Sequence, residues 1–518
     1  MSKVMKLEEA VNLVKDGDAI VTCMAGNIGC ALYLVKGIEK RFLDTGSPKG
    51  LTKVSGCGHP SDAFFAHPGL LKRFIGSHPG PCPPLLKMIN EDAFEAYGLP
   101  QGIIQQLYRA IAAKQPGIVS RVGMGTYIDP RLESGRLNDV SPASMSEIIQ
   151  VNGEDWLFYK TFPINIALLR GSTADENGNI SIESEALKLE ILELALAAKA
   201  CGGKVLVQVK NVVANGSIKA KDVVIPAEAV DAVVAVGSED LQEFHMQTNR
   251  TFYSPYLSGE LKAPKGAIAP SPEVLDPAEL ICRRSVYELY PGAVVNVGLG
   301  VGVGTCQVAD TEGMTERVTF TLELGAFGGT PTPKSDFGAT KNPISFIAHP
   351  SMFDFYHGGG LDIAFLGAAE IDVQGNVNVS RYGELKAGRA QGGFIDISQS
   401  AKKVVFCTYF RSGGLKAAIE GGKFTIGQEG REIKFVEKVN QVTFNGPMAV
   451  EKGQEIVYVT ERAVFRLTKE GVTLTEIAPG VDLEKDVLSL MAFKPVVSKD
   501  LKVMDGRIYA PGRMGCFD

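Results

Sequence analysis

INIALLRGSTADENGNIS at residues 164–181 recurs without gaps as LDIAFLGAAEIDVQGNVN at residues 361–378, and this repeat decides the fold. Six of the 18 positions are identical, namely Ile166/Ile363, Ala167/Ala364, Leu169/Leu366, Asp175/Asp372, Gly178/Gly375 and Asn179/Asn376. A second correspondence lies upstream, where GDAIVTCMAGNIG at 17–29 resembles PGAVVNVGLGVGVG at 291–304. Two matches in the same order indicate a duplicated domain.

The pattern around both repeats predicts the class of each copy. Short β-branched runs, such as residues 205–209 and 404–407, alternate with helical stretches such as residues 185–200. This alternation predicts two tandem α/β domains with open, largely parallel sheets covered by helices. We place them at residues 1–247 and 278–518. The linker at 248–277 is predicted from Pro255, Pro264, Pro270, Pro272 and Pro277.

The two copies differ in length between their matching segments. In the first, 146 residues separate Asp18 from Ile164, whereas in the second 69 separate Gly292 from Leu361. The first domain is therefore expected to carry an insert of about 77 residues, roughly 59–137. This insert contains GSHPGPCPP and EAYGLPQG, and we expect it to wall a pocket.

Composition and charge exclude several classes of function. Lys and Arg number 53 against 59 Asp and Glu, a net charge of −6, so we expect neither a nucleic acid nor a membrane partner. No apolar run reaches the roughly 18 residues of a membrane helix. Nine scattered cysteines without a CxxC pair predict free buried thiols and no metal site. The N-terminus carries Glu8 and Glu9 in a helix pattern, unlike a signal peptide, so we expect a cytoplasmic protein.

One acidic residue stands in an apolar strand pattern. In VTFTLELGAFGG at 318–329, Glu323 lies between Leu322 and Leu324, just before a group of glycines. An edge glutamate facing solvent is the simplest interpretation. However, open α/β sheets bind ligands at the carboxyl ends of their strands, and a glutamate beside bare backbone there can act as a nucleophile.

A glycine-rich turn follows the strand pattern AVVNV. Gly298, Gly300, Gly302 and Gly304 form GLGVGVG, whose backbone N–H groups can hold a phosphate or an oxyanion. A tight turn made for packing is the alternative. The GxGxxG fingerprint is absent, which disfavours NAD.

Two other groups of polar residues are expected to be structural. The six histidines, at 59, 67, 78, 245, 349 and 357, have no metal-ligand or triad spacing. The charged stretch at 181–200 is interpreted as an amphipathic helix with a solvated face rather than a carboxylate site.

With these features together, the sequence resembles the family I coenzyme A transferases, in particular the fused propionate or short-chain acyl-CoA:carboxylate branch. The resemblance spans nearly the whole chain. It includes LPQG, VGMGTYIDPRLESGRLN, ADENGNIS, VNVGLGVGVG, ELGAFGG and QGGFIDISQSAKKVVF. One departure is LELG, which replaces the Ser-Glu-Asn-Gly context of the two-subunit relatives, so their acid preference is not carried over.

The resemblance implies roles for individual residues. Glu323 would be the nucleophile, and Gln101 of the PQG motif would line the acyl site. Gly392 or Gly393 would supply an oxyanion N–H, without the sequence deciding which. Gly298, Gly300 and Gly302 would contact CoA. The resemblance also implies a homo-oligomer.

It further implies a ping-pong transfer of CoA between a short-chain acyl-CoA and a free acid such as propionate, acetate, butyrate, lactate or acetoacetate. CoA is then both substrate and part of a glutamyl-CoA thioester, and no other cofactor or metal is required. Two alternatives stay open: an acyl-CoA hydrolase on the same fold, and a non-catalytic binder of CoA or a sugar phosphate.

Overall fold

The computed structural model describes residues 2–23, 28–142, 144–244, 254–264, 274–332, 338–383 and 390–518. The strands of its first half are β1 (Ala19–Thr22), β2 (Leu51–Ser55), β3 (Leu71–Gly76), β4 (Glu95–Gly98), β5 (Gly117–Ser120), β6 (Ser146–Val151), β7 (Glu154–Lys160), β8 (Ile166–Asp175), β9 (Ile180–Ser181), β10 (Lys204–Val213) and β11 (Ala232–Ala235). The helices before the second half are α1 (Leu7–Val11), α2 (Leu32–Thr45), α3 (Pro83–Asn90), α4 (Gln101–Ala112), α5 (Ile191–Ala200), α6 (Leu241–Phe244) and α7 (Pro255–Ser258).

The second half is richer in short strands. Its strands are β12 (Val294–Val297), β13 (Thr319–Leu322), β14 (Ala326–Phe327), β15 (Thr330–Pro331), β16 (Thr340–Lys341), β17 (Ser345–Phe346), β18 (Ile363–Gly367), β19 (Glu370–Ile371), β20 (Val377–Asn378), β21 (Lys403–Cys407), β22 (Arg411–Ser412), β23 (Lys416–Glu420), β24 (Lys423–Gln428), β25 (Glu432–Ile433), β26 (Glu455–Val459), β27 (Ala463–Thr468), β28 (Gly471–Ile477) and β29 (Val496–Val503). Its helices are α8 (Pro277–Ser285), α9 (Thr305–Thr311), α10 (His349–Phe355), α11 (Phe394–Ser400), α12 (Gly446–Glu451) and α13 (Leu483–Asp486).

The two main sheets share a parallel core of five strands, which confirms the predicted α/β duplication. The first sheet runs β11-β10-β8-β1-β2-β3-β4, and the second runs β17-β14-β13-β12-β18-β21-β26-β27-β28-β29. The order β11-β10-β8-β1-β2 thus corresponds to β26-β21-β18-β12-β13, and every pair within both sets is parallel. All ten residues of β8 are buried, as expected for a central parallel strand covered on both faces.

The repeated D-x-x-G-N segment makes the same turn in both halves. Asp175 Oδ1 accepts the backbone N–H of Asn179 at 3.0 Å, and Asp372 Oδ1 accepts that of Asn376 at the same distance. The intervening glycine has a φ of +98° in the first turn and +78° in the second. The identities in the repeat therefore have a local cause, since only these side chains and a glycine close the turn.

The inserted segment extends the first sheet. Strands β3 and β4 continue it in parallel beyond β2, and α4 begins immediately after Leu99 and Pro100. Residues 117–160 form a separate antiparallel sheet in the order β5-β7-β6. The size of the insert and the domain boundaries at 247 and 278 stay predictions.

One local prediction, the helix over 185–200, needs correction. The helix expected over 185–200 spans only Ile191–Ala200, and the preceding segment is not helical. Two of the carboxylates in the stretch are turned away from solvent, whereas Glu183 is exposed: Glu190 is fully buried, and Glu185 pairs with buried Arg170 at 3.0 Å. Specific partners inside the protein therefore override the amphipathic pattern.

In the predicted linker, Pro270 and Pro272 lie outside the described residues, while Pro277 begins α8.

The halves share a continuous apolar core. One cluster of buried side chains contains Ile103 and Leu107 of α4 together with Met352 and Phe353 of α10. On the surface of this contact, Arg109 pairs with Asp354, and its second guanidinium nitrogen donates to Ser351 Oγ at 2.7 Å. Helix α4 of the first half is thus fixed against α10 of the second.

Candidate active site

Glu323 lies in the turn directly after β13, at the carboxyl end of a parallel strand, where the sequence placed it. It is 9% exposed. The turn closes through the Gly325 N–H, which donates to Leu322 O at 3.0 Å. Gly325 has a φ of +113°, and a Cβ there would lie 2.2 Å from Ile347 O. Only glycine fits this turn, which explains the glycine that follows the glutamate in the sequence.

The surroundings of Glu323 favour its neutral form. Burial raises the pKa of the Glu323 carboxyl above its ordinary value, because a charge in the interior loses its hydration. Its own backbone N–H, His349 when protonated, and the Asn296 amide act in the opposite direction and lower the pKa. The Asn296 Nδ2–H donates to Glu323 Oε2 at 3.4 Å.

Asn296 belongs to a small buried polar cluster on the neighbouring strand. It lies on β12, and its Nδ2 also donates to the hydroxyl of Tyr356 at 3.2 Å. That hydroxyl is 2.8 Å from Thr321 Oγ1, and Thr321 Oγ1 in turn donates to Val295 O at 3.0 Å. Burial raises the pKa of Tyr356, so the hydroxyl keeps its proton. The cluster positions Asn296 beside the carboxylate.

Gln101 begins α4 and is buried at the boundary between the halves. Its backbone N–H donates to Gly392 O at 3.2 Å, and its side-chain Nε2 is 2.9 Å from His349 Nε2. The structure therefore brings Gln101 together with the 392–393 turn and with His349.

The two glycines left open by the sequence differ in hydrogen bonding. The Gly392 N–H already donates to Ser77 O at 2.9 Å, and Gly392 has a φ of +56°. Gly393 precedes α11, and among the described residues its N–H has no hydrogen-bond acceptor. Gln101 Oε1 lies 3.6 Å from the position that a Cβ would take on either glycine.

Of the glycines predicted to contact CoA, packing excludes a side chain at Gly298 and leaves van der Waals contact distance at Gly302. A Cβ on Gly298 would lie 2.8 Å from Leu366 Cδ2, and one on Gly302 would lie 3.4 Å from Cys407 Sγ and from Phe365 Cβ. Gly300 is exposed and has a φ of +123°. Of the three glycines predicted to contact CoA, Gly300 presents its backbone to solvent.

Sequence reasoning missed four polar residues around these positions: Asn296, Tyr356, His349 and Glu190. Asn296 carried a usable signal, because it interrupts the apolar strand AVVNV two residues before the glycine turn. The other three carried none, since their contacts join segments that are distant in the chain.

No group of three or more His, Cys, Asp or Glu side chains suited to a metal ion occurs within the described ranges. The nine cysteines are free thiols, but the prediction that they are buried fails at three positions: Cys201 is exposed, and Cys57 and Cys516 are only partly buried. In the part of the chain that the structure describes, no helix combines the length and apolar character needed to cross a membrane.

Comparison with known proteins connects this geometry to a chemistry. Residues 4–236 match the family model described as Coenzyme A transferase. Caffeate CoA-transferase of Acetobacterium woodii is 40% identical over 520 residues and covers 98% of each chain. Acetate CoA-transferase YdiF of Escherichia coli K12 is 37% identical over 518 residues, covering 99% of this chain and 96% of the relative. The crystal structure of YdiF from E. coli O157:H7 as a thioester complex with CoA matches with a TM-score of 0.91 at 35% identity, covering 99% of this chain and 97% of that one.

Proposed function

The chain belongs to the coenzyme A transferase family and is an acyl-CoA:carboxylate CoA-transferase, and from this premise we propose that it transfers CoA through a thioester on Glu323. The observation that carries the proposal is the buried carboxylate at the carboxyl end of β13, in a turn that only glycine can close.

The proposed cycle has two attacks on carbonyl groups. The ionised Glu323 carboxylate attacks the acyl-CoA carbonyl, giving an acyl-glutamyl anhydride and the CoA thiolate. The thiolate then attacks the glutamyl carbonyl, which releases the first acid and leaves glutamyl-CoA. A second carboxylate reverses both steps. The thioester bond energy is conserved, so the cycle needs no ATP. Burial of Glu323 excludes water, which would hydrolyse the anhydride.

Both tetrahedral intermediates carry an oxyanion, and we assign its stabilisation to Gly393 and Gln101. Among the described residues the Gly393 N–H has no acceptor, which supports this choice over Gly392, whose N–H donates to Ser77 O. Gln101 supplies an amide group beside the same turn. Preorganised donors of this kind typically contribute on the order of 10² to 10³ in rate each.

The acid substrates are proposed as short-chain carboxylates: acetate, propionate, butyrate, lactate or acetoacetate. Acetate is supported by the name of the YdiF relative. Caffeate, an aromatic acid, is added to the acids to be tested because the Acetobacterium relative is named for it. Kinetics with each acid against acetyl-CoA would rank them. Gly298, Gly300 and Gly302 remain the proposed CoA contacts, with Gly300 the best supported by exposure.

The deciding experiment compares the wild type with Glu323→Gln. Wild-type protein incubated with acyl-CoA alone should gain a CoA adduct on the Glu323 peptide, detected by intact-protein mass spectrometry and peptide mapping. Glu323→Gln should gain none and should lack turnover. Glu279→Gln is the matched control, because burial raises the pKa of that glutamate too. An adduct on another residue, or activity in Glu323→Gln, would overturn the mechanism. Hydrolysis without an acceptor acid at the rate of transfer would indicate the hydrolase alternative.

Three coarser expectations are kept as part of the proposal. The protein is proposed to form a homo-oligomer and to reside in the cytoplasm, with domains at 1–247 and 278–518 around a linker at 248–277. Light scattering of the purified chain tests the homo-oligomer. Limited proteolysis, with cleavage expected between 248 and 277, tests the domain boundaries. Fractionation of the source cells tests the cytoplasmic location.

A further inference from the structure

A line of three buried polar side chains crosses the boundary between the halves. Glu190 Oε2 is 2.8 Å from His349 Nδ1, and His349 Nε2 is 2.9 Å from Gln101 Nε2. Glu190 and His349 are fully buried, and Gln101 is 1% exposed. Glu190 and Gln101 belong to the first half, whereas His349 begins α10 of the second.

The chemistry of the end groups fixes the direction of both hydrogen bonds. An ionised carboxylate only accepts hydrogen bonds, so His349 donates from Nδ1 to Glu190. The amide nitrogen of Gln101 only donates, so His349 accepts at Nε2. One neutral tautomer of the imidazole satisfies both contacts, and the carboxylate selects that tautomer.

Among the described residues, the Glu190 carboxylate has one hydrogen-bond partner, His349. Its second oxygen, Oε1, is buried and has no hydrogen-bond partner among the described residues. Burying a carboxylate is unfavourable unless it is paired, so a carboxylate with a single hydrogen-bond partner needs a reason to be there. A purely apolar residue would fill the same space at lower cost.

The backbone of Leu189, next to Glu190, is strained and also contacts His349. Leu189 has a φ of +49°, a conformation that a branched side chain rarely adopts. Its carbonyl oxygen accepts the backbone N–H of His349 at 3.1 Å. Residues 189–190 therefore bind His349 twice, once through the main chain and once through the carboxylate. Backbone strain of this kind clusters at functional sites.

We propose that Glu190 and His349 are positioning residues that hold the Gln101 side-chain amide in one orientation for acyl transfer. The inference rests on the proposed function, in which Gln101 faces the acyl group. With its nitrogen held by His349 and its Oε1 beside the 392–393 turn, the amide cannot turn over, and the proposal assigns its second N–H to the acyl oxygen. Docking of the two halves completes this arrangement.

The test is a double-mutant cycle on the full-length chain. Glu190→Gln keeps the size of the side chain, but its amide can donate or accept, so the tautomer of His349 is no longer imposed. We expect kcat/KM to fall on the order of 10- to 100-fold, the range typical of a misplaced catalytic group. The fall should lie in kcat, with KM for acyl-CoA little changed. In a Gln101→Ala background, Glu190→Gln should cause no further loss.

Glu193→Gln is the matched control, because Glu193 lies one turn further along α5, pairs with Arg109 at 3.7 Å and is not hydrogen-bonded to His349 in the part of the chain that the structure describes. It should leave kcat/KM unchanged. Wild-type activity in Glu190→Gln, or losses that multiply in the double variant, would overturn the inference.

Two measurements keep the result decisive. If Glu190→Gln does not fold, as judged by thermal unfolding, the double variant Glu190→Leu/His349→Phe replaces the polar pair by apolar side chains, an exchange that folded proteins often tolerate. It should show at least the same loss in kcat, and wild-type activity in it would refute the inference. The mass-spectrometric adduct on Glu323 separates the two proposals. An adduct in wild type with no effect of Glu190→Gln rejects only the positioning role, whereas absence of the adduct in wild type rejects the proposed function itself.

Discussion

Replacing Asn296 by leucine is expected to move the acid limb of the kcat/KM profile to higher pH. Leucine has nearly the same size but removes the N–H that donates to Glu323 Oε2 at 3.4 Å. Burial already raises the pKa of Glu323, and the Asn296 hydrogen bond opposes that effect. Because the ionised carboxylate is the proposed nucleophile, loss of the bond favours the inactive, protonated form. Activity should then disappear sooner as the pH falls.

The size of the shift follows from the geometry. A hydrogen bond to a charged group contributes about 1.5–3 kcal/mol, and the long 3.4 Å separation points to the lower end, about 1.5 kcal/mol. One pH unit corresponds to about 1.4 kcal/mol, so the acid limb should move by about one unit. Asn296 Oδ1 is buried without a partner among the described residues, so its removal should not add a cost of its own.

The assay is kcat/KM for acyl-CoA from pH 4 upward, which reports ionisation of the free enzyme. Thr319→Val is the matched control, since Thr319 lies on the same strand as the turn that carries Glu323, and its side chain makes no hydrogen bond among the described residues. Its acid limb should coincide with that of the wild type. A folded Asn296→Leu protein with an unmoved acid limb, or an equal shift in the control, would refute the reasoning.

Three further predictions concern the turn, the oxyanion donor and the shared site. Gly393→Pro removes the N–H of residue 393 and should lower kcat on the order of 10² to 10³-fold. The control Gly393→Ala keeps that N–H and should retain most of the activity. Equal losses of kcat in the two variants would indicate a steric effect instead. Gly325→Ala places a Cβ 2.2 Å from Ile347 O and should lower the thermal unfolding temperature. The control is Gly46→Ala, because Gly46 is also left-handed but has no atom within 4 Å of its Cβ position, so its unfolding temperature should fall less. Equal changes in the two variants would contradict the proposed clash. Chains 1–247 and 278–518, expressed separately, should each lack transferase activity, and turnover by either alone would count against a shared site.

The duplication was readable from sequence because its signals are local. The turns at Asp175 and Asp372 depend on side chains within four residues of each other. The same residue types therefore occur in both copies of the turn. The apolar strand patterns likewise determined the parallel core, and the glutamate before a glycine marked the end of β13. These features follow from chain-local sterics and periodicity, and the structure confirms them.

The charged stretch at 181–200 shows where such reasoning fails. Its spacing fits an amphipathic helix, yet Glu185 and Glu190 are buried against Arg170 and His349. Helical periodicity describes which residues share a face, and it carries no information about whether that face meets solvent or a distant partner.

The sequence by itself determined the fold class, the duplication, the family resemblance and the position of Glu323 at a strand end, because each is written in neighbouring residues. Tertiary structure alone decided that, among the described residues, Gly393 and not Gly392 has an N–H without an acceptor, since Ser77 O accepts that of Gly392 from 315 positions away. It also decided that Glu190, His349 and Gln101 form one line. Hydrogen bonds between distant segments depend on how the halves dock, and docking is set by the shape of the packed core rather than by any local pattern.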